Sequence, residues 1–127
     1  MSFQDFSTEH AFAYLESFRN RYPVFNDDIQ GTGAVVLSGF LNAARISSAA
    51  AGTPIADQRI LFLGAGSAGV GVARQLMSFF TLNGVPEEEA RRRIWFVDSQ
   101  GLIYDARGKM AEHKKCKPIS KFVLYST

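Results

Sequence analysis

Residues 59–69 read Arg59-Ile60-Leu61-Phe62-Leu63-Gly64-Ala65-Gly66-Ser67-Ala68-Gly69. A short apolar run ends on glycine, and the pattern G-x-G-x-x-G follows at once. The run predicts a buried parallel strand over 59–63. Ser67 to Leu82 has few charges and predicts a helix, so the glycines fall in a strand-to-helix turn. In that setting each glycine has a separate role. Gly64 permits the tight turn, Gly66 lets the backbone approach a pyrophosphate, and Gly69 lets the helix pack on the strand. Ala65, Ser67 and Ala68 complete the loop. The first turn of the helix offers free N–H groups and partial positive charge to phosphates.

Downstream, Pro86 opens a further predicted helix, to Arg93. Glu87, Glu88 and Glu89 each precede Arg91, Arg92 and Arg93 by four residues, a spacing that stabilises an exposed helix face. Ile94-Trp95-Phe96-Val97 predicts a second buried strand ending at Asp98. An acid there can hydrogen-bond the adenosine ribose hydroxyls. It lies 29 residues beyond Gly69, against a usual spacing of about 20, and the intervening helix accounts for the excess. Asp98 repels a 2′-phosphate and so favours NAD, while Lys114 or Lys115 folding back would offset it and admit NADP.

Upstream, Ser7 to Tyr22 predicts a helix capped by Ser7 or Thr8, with Ala11, Leu15, Phe18 and Tyr22 on one apolar face. A loop follows, Pro23 to Gly31. Thr32 to Ala51 is apolar on nearly all sides, as expected of a helix buried inside a larger protein. Gly52-Thr53-Pro54 makes a turn. The expected fold is therefore α/β: helices leading into one βαβ unit, an incomplete doubly wound parallel sheet.

Composition narrows the function classes. The chain has 127 residues, 46% of them apolar and 20% charged, with a net charge of +2. That balance does not argue for nucleic acid. No apolar run of 18 residues stands out, so no membrane span is expected. His113, Lys114, Lys115, Lys117 and Lys121 crowd the C-terminal end and read as solvated surface. A lone Cys116 fits a reducing compartment.

The most specific stretch is Phe25-Asn26-Asp27-Asp28-Ile29-Gln30-Gly31-Thr32. Two adjacent acids before a tight turn form an oxygen-rich corner that suits Mg²⁺ or Mn²⁺, although an Asp-Asp pair taken by itself is more often a helix cap or a surface turn. Together with Arg59 to Gly66, Glu88-Glu89-Ala90-Arg91, Ile94 to Ser99 and Gly101-Leu102-Ile103, it resembles the malic enzymes, most of all eukaryotic NAD-type ones, from about Phe3 to Lys115.

The resemblance implies oxidative decarboxylation of malate to pyruvate and CO₂, with NAD (or NADP) and Mg²⁺ or Mn²⁺. A base takes the C2 hydroxyl proton as hydride leaves for nicotinamide, and the cation stabilises the enolate left by CO₂. It implies metal ligation by Asp5 and Asp28. Gln4 stands where the family has Glu, which removes one negative charge from the site. Asp27 resembles the acid that supports the catalytic base, and Asp28 also lies at the cofactor side. Gly64, Gly66, Gly69 and Asp98 match the cofactor positions.

The implied division is 1–31 as the end of the catalytic region, 32–115 as the start of the NAD(P)-binding domain, and 116–127 as an unmatched, poorly ordered tail. The family's Tyr acid and Lys base precede the acidic corner. Tyr14 and Tyr22 match neither, and every lysine lies at or beyond Lys109. The chain alone is expected to be inactive. Alternatives are a non-catalytic dinucleotide- or metal-binding remnant, or a product that does not fold alone. The resemblance also implies an intracellular setting, mitochondrial or cytoplasmic, and a homo-oligomeric parent.

Overall fold

The computed structural model describes residues 2–3 and 6–104. Gln4, Asp5, the basic cluster from His113, Cys116 and the 116–127 tail lie outside them. The elements run β1 (Ser2–Phe3), α1 (Thr8–Phe18), β2 (Phe25–Asn26), a π-helical turn (Asp27–Gly31), α2 (Thr32–Ala51), a 3-10 turn (Ile55–Asp57), β3 (Ile60–Leu63), α3 (Ser67–Leu82), α4 (Glu87–Arg91), β4 (Ile94–Asp98) and β5 (Gly101–Leu102).

The strand–helix–strand unit forms as the sequence predicts. β3 and β4 pair in parallel, Ile60 with Ile94 through Leu63 with Val97. α3 covers one face of this pair. Val70, Val72, Ala73, Leu76, Met77 and Phe80 pack with Ile94, Phe96, Ile60 and Phe62 into the core. Phe80 and Phe96 are fully buried, and Phe62 stacks on Phe96 with ring centroids 4.6 Å apart.

Several expectations need correction. The sheet is mixed: β5 returns antiparallel to β4, pairing Asp98 with Gly101 and Val97 with Leu102. Gly101 at φ 106° makes the hairpin turn that few other residues tolerate. β3 is apolar on both sides but buried on one. Leu61 and Leu63 are exposed, at 65% and 90%, because no described element lies over that face. On α1, Ala11, Phe12 and Leu15 are buried while Phe18 and Tyr22 are exposed. The α-helix ends at Phe18, so the expected face breaks there. Ser7 is its N-cap, without a side-chain bond.

The loop foreseen over 23–31 is partly regular. β2 pairs in parallel with β1, Ser2 with Phe25 and Phe3 with Asn26. The π turn then runs without a break into α2. Together they form a helical stretch, Asp27–Ala51, of 25 residues with mean hydropathy 1.3. By length and composition it could cross a membrane. No uninterrupted apolar run announces it, because Asn42 and Arg45 break the run. Gly33 and Ala44 are buried, and Leu37 and Phe40 pack against the core. Val35, Val36 and Ile46 face outward. The helix thus covers one stripe, with its other flank open.

α4 starts one residue later than foreseen, with Pro86 as N-cap. Its ion pairs are Glu87–Arg91 and Glu89–Arg93 (2.7 Å), and Glu88 lies 3.8 Å from Arg91. Arg93 also reaches Asp57, at 3.1 Å. Its side chain is only 12% exposed, so this run is not plain solvent surface. It ties α4 to the 3-10 turn ahead of β3.

Candidate dinucleotide cradle and acidic corner

The cradle sits where β3 and β4 end. The N–H of Gly64 donates to the carbonyl of Val97 at 2.7 Å, which sets the glycine turn beside Asp98 at the carboxyl ends of both strands. Ligands of open α/β sheets bind at that edge. The three glycines differ physically. Gly64 has φ 109°, and a Cβ on Gly64 or Gly66 would meet nothing within 4 Å. A Cβ on Gly69 would meet the Gly64 carbonyl oxygen at 3.0 Å and the Phe96 ring at 3.6 Å. The first two therefore open onto free space, and the third is pinched between helix and strand.

Gly66 is the N-cap of α3 and makes no side-chain cap bond. The first N–H groups of a helix lack intrahelical acceptors. Ser67, Ala68 and Gly69 hold the first turn, so their amides face the open side with the positive end of the helix dipole. Ala65 is buried, which anchors the loop. Donor chemistry and space both fit a pyrophosphate. The carboxylate of Asp98 accepts from the N–H of Gln100 at 2.8 Å. It thus braces the β4–β5 turn, a second role that sequence reasoning missed. The signal was present: Asp at the first position of a turn and Gly at the fourth, as in Asp98-Ser99-Gln100-Gly101.

The acidic corner is the π turn. Asn26, 1% exposed, is its N-cap, and its Oδ1 accepts from the N–H of Ile29 at 2.9 Å. Asp27 is exposed and Asp28 half-buried. The Asp27 carboxylate lies against Gly31, where a side chain would collide with it. The turn packs directly on α3. A Cβ on Gly71 would stand 2.7 Å from the Ile29 carbonyl oxygen. Among the described residues, no three of His, Cys, Asp and Glu come together to hold a metal. Asp27 and Asp28 carry carboxylate oxygens, the donor type that hard cations take. Gln4 and Asp5 follow Phe3, whose strand partner Asn26 immediately precedes Asp27.

The family model described as malic enzyme, NAD binding domain, matches residues 29–120. This chain belongs to the malic enzyme family. It is 53% identical over 116 residues to the NADP-dependent malic enzyme of Dictyostelium discoideum, covering 91% of this chain and 21% of that protein. To the NADP-dependent malic enzyme of Mus musculus it is 42% identical over 115 residues, covering 91% of this chain and 19% of that one. The crystal structure of Entamoeba histolytica malic enzyme matches with a TM-score of 0.67 and 28% identity, over 93% of this chain and 22% of that one. The chain thus spans about a fifth of the length of these malic enzymes, and its fold is the opening of a Rossmann-like NAD-binding domain.

Proposed function

We propose that this chain holds the adenosine–pyrophosphate half of a nicotinamide dinucleotide, as part of a protein that oxidatively decarboxylates malate to pyruvate. One observation carries the reading: Gly64 and Gly66 open onto space at the head of α3 while Gly69 is pinched against Gly64 and Phe96. The backbone explains two of the three, Gly64 by its positive φ and Gly69 by its crowding. Gly66, at φ −79° with open space before it, has a use only where something approaches the turn.

The residues divide the work. The amides of 67–69 hold the pyrophosphate. Asp98 takes a ribose hydroxyl, and its charge favours NAD. The relatives' names favour NADP. Asp28 donates to a divalent cation, with Asp5 and Gln4, and Asp27 orients the base. Bound in that corner, the cation would stabilise the enolate oxygen formed as CO₂ leaves. The uncovered flank of α2 and the outer face of β3 are surfaces on which the rest of a malic enzyme packs. The assembled protein is a homo-oligomer working inside the cell.

Calorimetric titration of the purified chain with NADH and with NADPH, with and without Mn²⁺, tests the reading. Saturable binding of either dinucleotide is expected, without pyruvate formation from malate. A flat titration with both dinucleotides would falsify it.

A further inference from the structure

A side-chain hydrogen bond fastens the acidic corner to the middle of α3, the helix whose first turn forms the cradle. Gln75 lies on α3 eight residues after Ser67, about 12 Å along the axis. Its Nε2 donates to the main-chain carbonyl of Gln30 at 3.0 Å, across 45 residues of sequence. Gln30 is itself a clamp: its Oε1 accepts from the N–H of Asn26 at 3.0 Å. Asn26 caps the same turn through Ile29. The N-terminal end of the π turn is thus closed by two reciprocal bonds at Asn26, and the turn is fastened to α3 by Gln75. No spacer intervenes. A Cβ on Gly33 would stand 2.6 Å from Gln75 Nε2, and one on Gly71 would press on Ile29.

A single π turn is an uncommon conformation that needs outside support. Here the support comes from the middle of α3, whose N-terminal turn forms the candidate phosphate cradle. Any change in the pose of α3 on ligand binding therefore reaches the turn that carries Asp27 and Asp28 by two routes, the Gln75–Gln30 hydrogen bond and the Gly71–Ile29 contact.

Resting on the dinucleotide reading above, we propose that Gln75 is a positioning residue. It sets the orientation of Asp27 and Asp28 relative to the phosphate cradle, so that seating a dinucleotide and orienting the carboxylates are coupled events. Gln75 does not itself touch the glycine turn, which lies two helical turns away. The packing of Gly71 on Ile29 also joins the two segments, so the contribution of Gln75 is the part of the 26–31 response that is lost with its donor.

The test is amide NMR of the ¹⁵N-labelled full chain titrated with NADH and NADPH. In the wild type, residues 64–69 and 26–31 should shift together along one binding curve. Gln75→Met keeps the shape and removes the donor. Its 64–69 resonances should titrate with affinity within about twofold of wild type, while the 26–31 response falls by roughly threefold or more. Gly33→Ala is the second variant. Its methyl displaces the Gln75 amide without deleting it, and the same uncoupling is expected should Gln75→Met fail to fold. An undiminished 26–31 response in the folded variants overturns the inference and leaves the cradle standing. No shift at 64–69 in the wild type overturns the dinucleotide reading, and the inference with it.

Discussion

The two faces of the β3–β4 pair are nearly equal in sequence and opposite in structure. Ile60, Phe62, Ile94 and Phe96 point at α3 and join the core. Leu61 and Leu63 point the other way and stay open to solvent, with Trp95 and Val97 only half-buried. Strands apolar on both sides belong to sheets covered on both sides. One cover, α3, is encoded next to the strands. The other has no counterpart among the described residues, in a chain that spans about a fifth of its malic enzyme relatives. The difference teaches that the glycine turn depends on the inner face alone, because α3 both builds that face and begins at that turn.

The hardest blow to this asymmetry is Phe96→Ala. Phe96 is fully buried, stacks on Phe62 and touches the Gly69 position. Its truncation should cost about 3–5 kcal/mol, a large share of the roughly 5–15 kcal/mol that holds a domain together. Urea unfolding should show the midpoint collapse and dinucleotide binding vanish with it. A loss below about 1 kcal/mol would mean that the inner face is not the core.

Gly66→Ala sharpens the comparison at the rim. Gly66 has φ −79°, which alanine adopts without strain, and its Cβ would enter open space. Stability should hold within about 0.5 kcal/mol. Affinity for NADH or NADPH should fall by roughly tenfold, or about 1.4 kcal/mol, since the methyl occupies the pyrophosphate's approach. Unchanged affinity would place the phosphates elsewhere.

Much of the inner architecture was legible. The bounds of α2 and α3 and the ends of β4 follow from apolar runs, Gly52 and the glycine turn, all local signals. The turn at Gly64 and the close packing at Gly69 were also legible, because φ and Cβ space depend on the chain's immediate path. What escaped depends on distant partners. The π turn over 27–31 is fastened by Gln75, 45 residues on, and nothing in N-D-D-I-Q-G announces that bond. Likewise Arg93 reads as one more helix-face charge until Asp57 meets it. The exposed side of β3 escaped for another reason. A strand's sequence records what its faces are made for, and Leu61 and Leu63 are apolar whether or not a cover is present.

That last point carries the smallest prediction. Leu63→Gln places an amide on a site 90% exposed. Removing an apolar side chain already in water forfeits almost no burial, so unfolding free energy should change by less than about 0.5 kcal/mol. Self-association is where the change should register. An uncovered apolar strand face beside an open sheet edge invites pairing between copies. Sedimentation velocity should show less concentration-dependent association in the variant than in the wild type. If instead the variant is destabilised by more than about 1.5 kcal/mol, something in the isolated chain already covers Leu63, and the contrast between the two faces collapses.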